Sequence, residues 1–158
     1  SPRPAPERTR QTLVERSTQN IRVLLVEDDE ISRLVGQRML QKHGCDVTLA
    51  DDGRIALELT RDRAFDMLFM DCNMPGMDGF EASAAIRARQ RDGTCATPPD
   101  VPIIALTANV LVGDRERCLA AGMVDYVAKP LLPDAVARVL ARWSPNASDD
   151  DTGPIPAA

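Results

Sequence analysis

Asp66-Met67-Leu68-Phe69-Met70-Asp71-Cys72-Asn73-Met74-Pro75-Gly76-Met77-Asp78-Gly79 decides how this chain folds. Met67 to Met70 is a short, wholly apolar run, the pattern of a strand covered on both faces of a parallel sheet. It stops at a carboxylate, Asp71, and Asn73, Pro75, Gly76 and Gly79 then follow, all loop-forming types. Asp71 is therefore expected at the carboxyl end of a central strand, where open α/β sheets place their ligands and their chemistry.

Three other stretches end in the same manner. Arg22-Val23-Leu24-Leu25-Val26 runs into Glu27-Asp28-Asp29, Ile103-Ile104-Ala105-Leu106 into Thr107-Ala108-Asn109, and Asp125-Tyr126-Val127-Ala128 into Lys129-Pro130. An acid cluster, a single acid, a hydroxyl and a lysine thus converge on one edge of one sheet. In these residues the sequence resembles the receiver domain of two-component response regulators, the CheY-like family, over roughly Arg22 to Trp143. The wording Pro102-Ile103-Ile104-Ala105-Leu106-Thr107-Ala108-Asn109 and Ala121-Gly122-Met123 is most similar to receivers inside hybrid sensor histidine kinases.

Around this centre, strand and helix alternate five times. Right-handed crossovers give a doubly wound, flavodoxin-like three-layer α/β sandwich; the resemblance implies the parallel strand order 2-1-3-4-5. Residues 21–143 are expected to form the domain, with 1–20 and 144–158 as disordered linkers rich in Pro and polar residues. Ile31, Leu34, Val35 and Met39 recur at helical spacing and predict the buried stripe of the first helix, which Gly44 ends in a left-handed cap. Gly53–Arg61 and Phe80–Arg89 predict two further helices. The polar stretch from Arg89 to Asp100 reads as a surface insertion. The helix over Val110–Ala121 has a thin apolar stripe of Leu111, Cys118 and Leu119, which fits either an element that moves or a static surface helix. Leu132, Val136, Val139, Leu140 and Trp143 pattern the last helix, with Trp143 stapling it to the core.

Composition excludes several functions. The 158 residues are 44% hydrophobic and 27% charged, with formal net charge −5 and 3% aromatics. The first twenty residues carry four Arg against two Glu, and Asp149 to Asp151 lie in the other tail, so the domain itself is acidic. No basic patch with interleaved aromatics invites nucleic acid. No apolar run approaches the ~18 residues that span a bilayer, so no membrane contact is expected of this segment. A cytoplasmic location is expected, with a parent protein anchored in the inner membrane as one possibility. Cys45, Cys72, Cys95 and Cys118 are spaced 27, 23 and 23 apart. That is not metal-ligand spacing, and the single His43 reads as a helix-end residue. The thiols are expected to be reduced packing residues; Cys72 is the one placed for oxidation.

Two acidic loops at one sheet edge call for a hard divalent cation with oxygen ligands, and Mg²⁺ takes one or two carboxylates while keeping several waters. Asp28 and Asp71 are those carboxylates. The resemblance adds the backbone carbonyl of Asn73 as a ligand and Glu27 as the holder of a coordinated water. Asp29 reads as a helix cap and Asp78 as a loop residue. The resemblance further implies that Asp71 attacks a phosphoryl group and becomes an aspartyl phosphate. The donor is the phosphohistidine of a histidine kinase or histidine phosphotransfer domain. Lys129, the Thr107 hydroxyl and the Ala108 N–H would bind the phosphoryl oxygens, and Thr107 with Tyr126 would form the switch. The other reading has Thr107 capping the next helix and Tyr126 static. Pro130 resembles the family's cis turn. As an isolated domain the chain is expected to be a monomer, cut from a longer protein of the hybrid-kinase type.

Rival readings must use the same residues. A flavodoxin-type flavin binder shares the topology, but Glu27-Asp28-Asp29 would repel a phosphate after the first strand. A Mg²⁺-dependent phosphatase with an Asp nucleophile needs a second Asp two residues on as general acid, and Asn73 stands there. A pseudo-receiver, serving only as an interaction module, would not keep all five signature residues.

Overall fold

The computed structural model describes residues 21–108 and 112–145, leaving aside the side chains of 112–114. Residues 1–20 and 146–158 of the expected linkers, Asn109, Leu111 and the start of the helix at Val110 lie outside the described residues. Ser144, placed in the second linker, is buried and its N–H donates to Leu140 O at 3.0 Å. The elements run β1 Arg22–Val26, α1 Glu30–Lys42, β2 Asp46–Ala50, α2 Gly53–Asp62, β3 Met67–Asp71, α3 Gly79–Arg91, β4 Ile103–Thr107, α4 Val112–Ala120, β5 Asp125–Ala128 and α5 Pro133–Trp143. The strands form one parallel sheet in the order β2-β1-β3-β4-β5, as the alternation and the resemblance imply.

Period-2 alternation divides the central strands between two cores. Leu24, Val26, Leu68, Met70, Ile103 and Ala105 face α2, α3 and α4, meeting Ala56, Leu57, Ala82, Ile86 and Cys118. Val23, Leu25, Met67, Phe69, Ile104 and Leu106 face α1 and α5, meeting Leu40, Val136, Val139 and Leu140. Every residue of β3 and β4 is buried. The central strands are therefore apolar on both faces, and their polar ends collect at one rim.

The first helix corrects the sequence reading. Ile31, Leu34 and Val35 are 74%, 46% and 42% exposed, whereas Gly36 and Leu40 are buried. At about 100° per residue these two lie well around the helix from Ile31. Gly36 explains the choice: a Cβ there would sit 3.0 Å from Leu25 Cδ2, so the small residue brings α1 down onto β1. Ile31, Leu34 and Val35 of the expected stripe face outward, while Met39 is half-buried against the core, as expected. Leu132 (61% exposed) and Leu119 also leave the stripes assigned to them.

Capping residues fix the helix starts. Asp29, Asp52 and Asp78 accept from the N–H groups of Ser32, Ile55 and Glu81 at 2.8, 2.8 and 2.9 Å, each satisfying an otherwise orphaned donor. Asp78 is thus a cap rather than a plain loop residue. Gly44 ends α1 with φ 82°. The stretch after α3 is no loose insertion: Thr97 is fully buried, and its hydroxyl donates to Arg63 O at 2.6 Å and accepts from Phe65 N–H at 3.2 Å. Trp143 holds α5 to β5, its Nε1–H donating to the buried Asp125 carboxylate at 2.8 Å.

Candidate functional site

The carboxyl ends of β1, β3, β4 and β5 bring the acids and the lysine together. Asp71, with no exposed surface, ends β3, and Glu27, 2% exposed, follows β1. Lys129 follows β5 and spans the two: its Nζ lies 2.8 Å from Asp71 Oδ1 and 2.9 Å from Glu27 Oε2. Its backbone N–H donates to Thr107 O at 2.8 Å, which ties the lysine to the end of β4. The Lys129–Pro130 peptide is cis. Asp28 is exposed at the mouth, and one ligand atom from each of Glu27, Asp28 and Asp71 lies within 4.8 Å of the others.

Local geometry holds this arrangement. A Cβ on Gly79 would collide with the backbone of Asp71 and Cys72, so glycine lets the loop after β3 fold back beneath the acid. Asn73 N–H donates to Asp71 Oδ1 at 3.0 Å. Arg33, one turn into α1, donates from Nη1 to the carbonyls of Glu27 and Asp28 at 3.0 and 3.4 Å. Nothing in the sequence pattern singled out Arg33.

The charges are unbalanced. Burial raises the Asp71 carboxyl above its ordinary range, against the opposing pull of Lys129 and the Asn73 N–H. Desolvation and then the neighbouring Asp71 carboxyl raise Asp28. Burial pulls the Lys129 ammonium down, but its hydrogen bonds to Asp71 and Glu27 outweigh this and hold it above its usual range. Asp71 Oδ2 is buried with no hydrogen-bond partner among the described residues, an expensive state for a carboxylate oxygen. A three-carboxylate cluster with one orphaned oxygen fits a hard divalent cation of the Mg²⁺ type.

The other expected site residues lie around this centre. Thr107 is buried at the end of β4 and Ala108 is exposed beyond it. Ala105 pairs with Tyr126, so Thr107 and the half-buried Tyr126 share the face covered by α2, α3 and α4. A cleft of about 190 Å³ adjoins the site, lined by Glu27, Ile31, Ser32, Val35, Lys129, Pro130 and Leu131.

Comparison with known proteins decides the family. Residues 23–141 match the response regulator receiver domain. The chain belongs to that family. It is 36% identical over 123 residues to the sensor protein GacS of Pseudomonas syringae pv. syringae, covering 78% of this chain and 13% of that protein. The receiver of the sensor histidine kinase PA1611 from Pseudomonas aeruginosa PAO1, with magnesium coordinated in its active-site cleft, is 44% identical with TM-score 0.69, covering 78% of this chain and 97% of that one. The receiver domain of Ssk1 from Saccharomyces cerevisiae, crystallised with the histidine phosphotransfer protein Ypd1, is 30% identical with TM-score 0.72, covering 80% and 90%. The receiver spans between 6% and 15% of the curated relatives it matches, and these include hybrid histidine kinases. It is a phosphorelay module of the kind such kinases carry. No helix among the described residues is long and apolar enough to cross a membrane.

Proposed function

We propose that Asp71 accepts a phosphoryl group from the phosphohistidine of a histidine kinase or histidine phosphotransfer domain. The observation that carries this is Asp71 itself, fully buried at a strand end, with one oxygen on Lys129 and the other without a hydrogen-bond partner among the described residues. Asp28 and Asp71 would hold Mg²⁺ directly, with the Asn73 carbonyl as third protein ligand and Glu27 holding a bound water; the ion supplies charge neutralisation during transfer. An Asp71 oxygen forms the new O–P bond in line as the P–N bond breaks, and its electron pair returns to the imidazole. Lys129 neutralises the phosphoryl oxygens from the opposite side, and the Thr107 hydroxyl and Ala108 N–H donate to them. Such transfer depends on positioning and charge more than on covalent help from the protein.

After transfer, Thr107 moves toward the new acceptor and Tyr126 turns into the space it leaves. The shared face of the two residues supports this pairing. One or two charge-assisted hydrogen bonds, each worth about 1.5–3 kcal/mol, shift a two-state equilibrium by roughly tenfold or more. The parent is read as a hybrid histidine kinase working from the cytoplasm, and a helix-turn-helix module directly after Ala158 would overturn that reading.

The outward stripe of Ile31, Leu34 and Val35, continuous with the cleft beside Lys129, is where the donor protein docks. It is an apolar patch rimming the reacting carboxylate, the kind of surface that marks a partner site. Val35→Glu should slow phosphotransfer from a phosphorylated histidine phosphotransfer domain by about tenfold, the effect of losing about 1.4 kcal/mol of binding. Labelling by a small phosphodonor should be unchanged. Equal rates for wild type and variant with the protein donor would exclude this face.

Mg²⁺ binding has its own readout. At a hundredfold excess over its Kd, Mg²⁺ should stabilise the receiver by about 2.7 kcal/mol in thermal or urea unfolding, and Asp28→Ala should lose that response. Trp143 lines a cleft with Phe65, Pro99 and Val124, at the opposite pole of the sheet from Asp71. Mg²⁺ should therefore hardly quench its fluorescence; a large saturable quench removed by Asp28→Ala would contradict the assigned metal site.

A further inference from the structure

Arg87, on α3 and far from the acid cluster, spends its whole guanidinium on other segments. Nε and Nη2 donate to Gly122 O at 3.0 and 2.8 Å, Nη2 also to Val101 O at 2.7 Å, and Nη1 to Pro99 O and Gln90 Oε1, both at 3.1 Å. Five contacts match the five N–H groups of the side chain. Three of the acceptors are backbone carbonyls, two just before β4 and one in the turn between α4 and β5. Gln90 continues the clasp, its amide donating to Pro98 O at 2.7 Å.

Gly122 is shaped to this arginine. Its φ is +89°, and a Cβ there would meet Arg87 Cγ at 2.5 Å. The same turn closes α4: the N–H groups of Ala121, Gly122 and Met123 donate to the carbonyls of Arg117, Leu119 and Cys118. Among the described side chains of α4 the inward anchor is Cys118, while Leu119 is exposed; Arg117 lies over the Phe80 ring at 4.1 Å, a contact of modest strength at the surface. The helix is thus clamped at its C-terminal end, and of its side chains from Arg115 to Ala120 only Cys118 is buried.

We infer that Arg87 is a positioning residue for the phosphorylation switch: it latches Gly122 to α3 and makes this turn the fixed pivot of α4. Movement begun at Thr107 then swings the N-terminal end of α4 instead of sliding the whole helix. The switching half rests on the proposed phosphoacceptor chemistry; the latch itself does not.

Amide hydrogen exchange on the whole chain tests the latch without phosphorylation. In Arg87→Met, the Gly122 and Met123 amides should exchange at least about tenfold faster than in wild type, beyond any change at Phe69 in the central strand, which tracks global opening. Arg87→Lys, which keeps the charge but not the fork, should fall between. Gly122 and Met123 rates that change no more than Phe69 in either variant would overturn the latch. With Mg²⁺ and beryllofluoride, wild-type NMR shifts should concentrate at 112–117 and spare 121–124, and Arg87→Met should spread them into 121–124. The same profile in both proteins would overturn the pivot. No beryllofluoride response anywhere in wild type would instead overturn the phosphoacceptor reading, with hydrogen exchange still deciding the latch.

Discussion

Lys129→Met should destabilise the metal-free receiver by about 2–4 kcal/mol at pH 7. Removing one partner of a buried ion pair typically costs about 3–5 kcal/mol because the other charge is left uncompensated. Here the lysine is 22% exposed while Glu27 and Asp71 are 2% and 0% exposed, so some solvent screening lowers the figure. Methionine keeps the apolar stem and deletes the cation, which separates charge from packing. Mg²⁺ should restore more stability to the variant than it adds to wild type, since it replaces the missing positive charge. Urea unfolding of both proteins, with and without Mg²⁺, measures this; equal stabilities in metal-free buffer would mean that Lys129 does not neutralise the acids.

Asp71→Asn should act in the opposite direction. The folded carboxyl titrates above its ordinary 3.8 because of burial. A raised folded value contributes stability that is fully present below the ordinary pKa and is lost as pH rises through the folded one. At pH 7 the ionised Asp71 is therefore a cost, and the asparagine variant should melt higher than metal-free wild type. That margin should vanish as pH falls toward 3.8. A site that destabilises its own fold until it is filled is the expected signature of function.

Much of this was legible in the sequence because strand ends are legible. Four apolar runs each stopping at a polar residue, with helices between them, place Glu27, Asp71, Thr107 and Lys129 at one rim in any right-handed parallel sheet. The side of α1 that packs was not legible. Hydrophobic periodicity pointed to Ile31, Leu34 and Val35, but close approach to the sheet through Gly36 turned that stripe outward. The direct Glu27–Lys129 pair was also out of reach, since it depends on the glutamate reaching across the sheet edge. The clasp of Arg87, Gln90 and Thr97 was hidden for another reason: a polar stretch of chain looks like free loop until its buried backbone finds donors from distant side chains.

Phosphoryl uptake at Asp71 bears most directly on the function. With Mg²⁺ and a small phosphodonor, intact-mass spectrometry should show one phosphoryl group added, EDTA should suppress the addition, and Asp71→Asn should abolish it. Labelling that survives in the folded Asp71→Asn protein would contradict Asp71 as the phosphoacceptor.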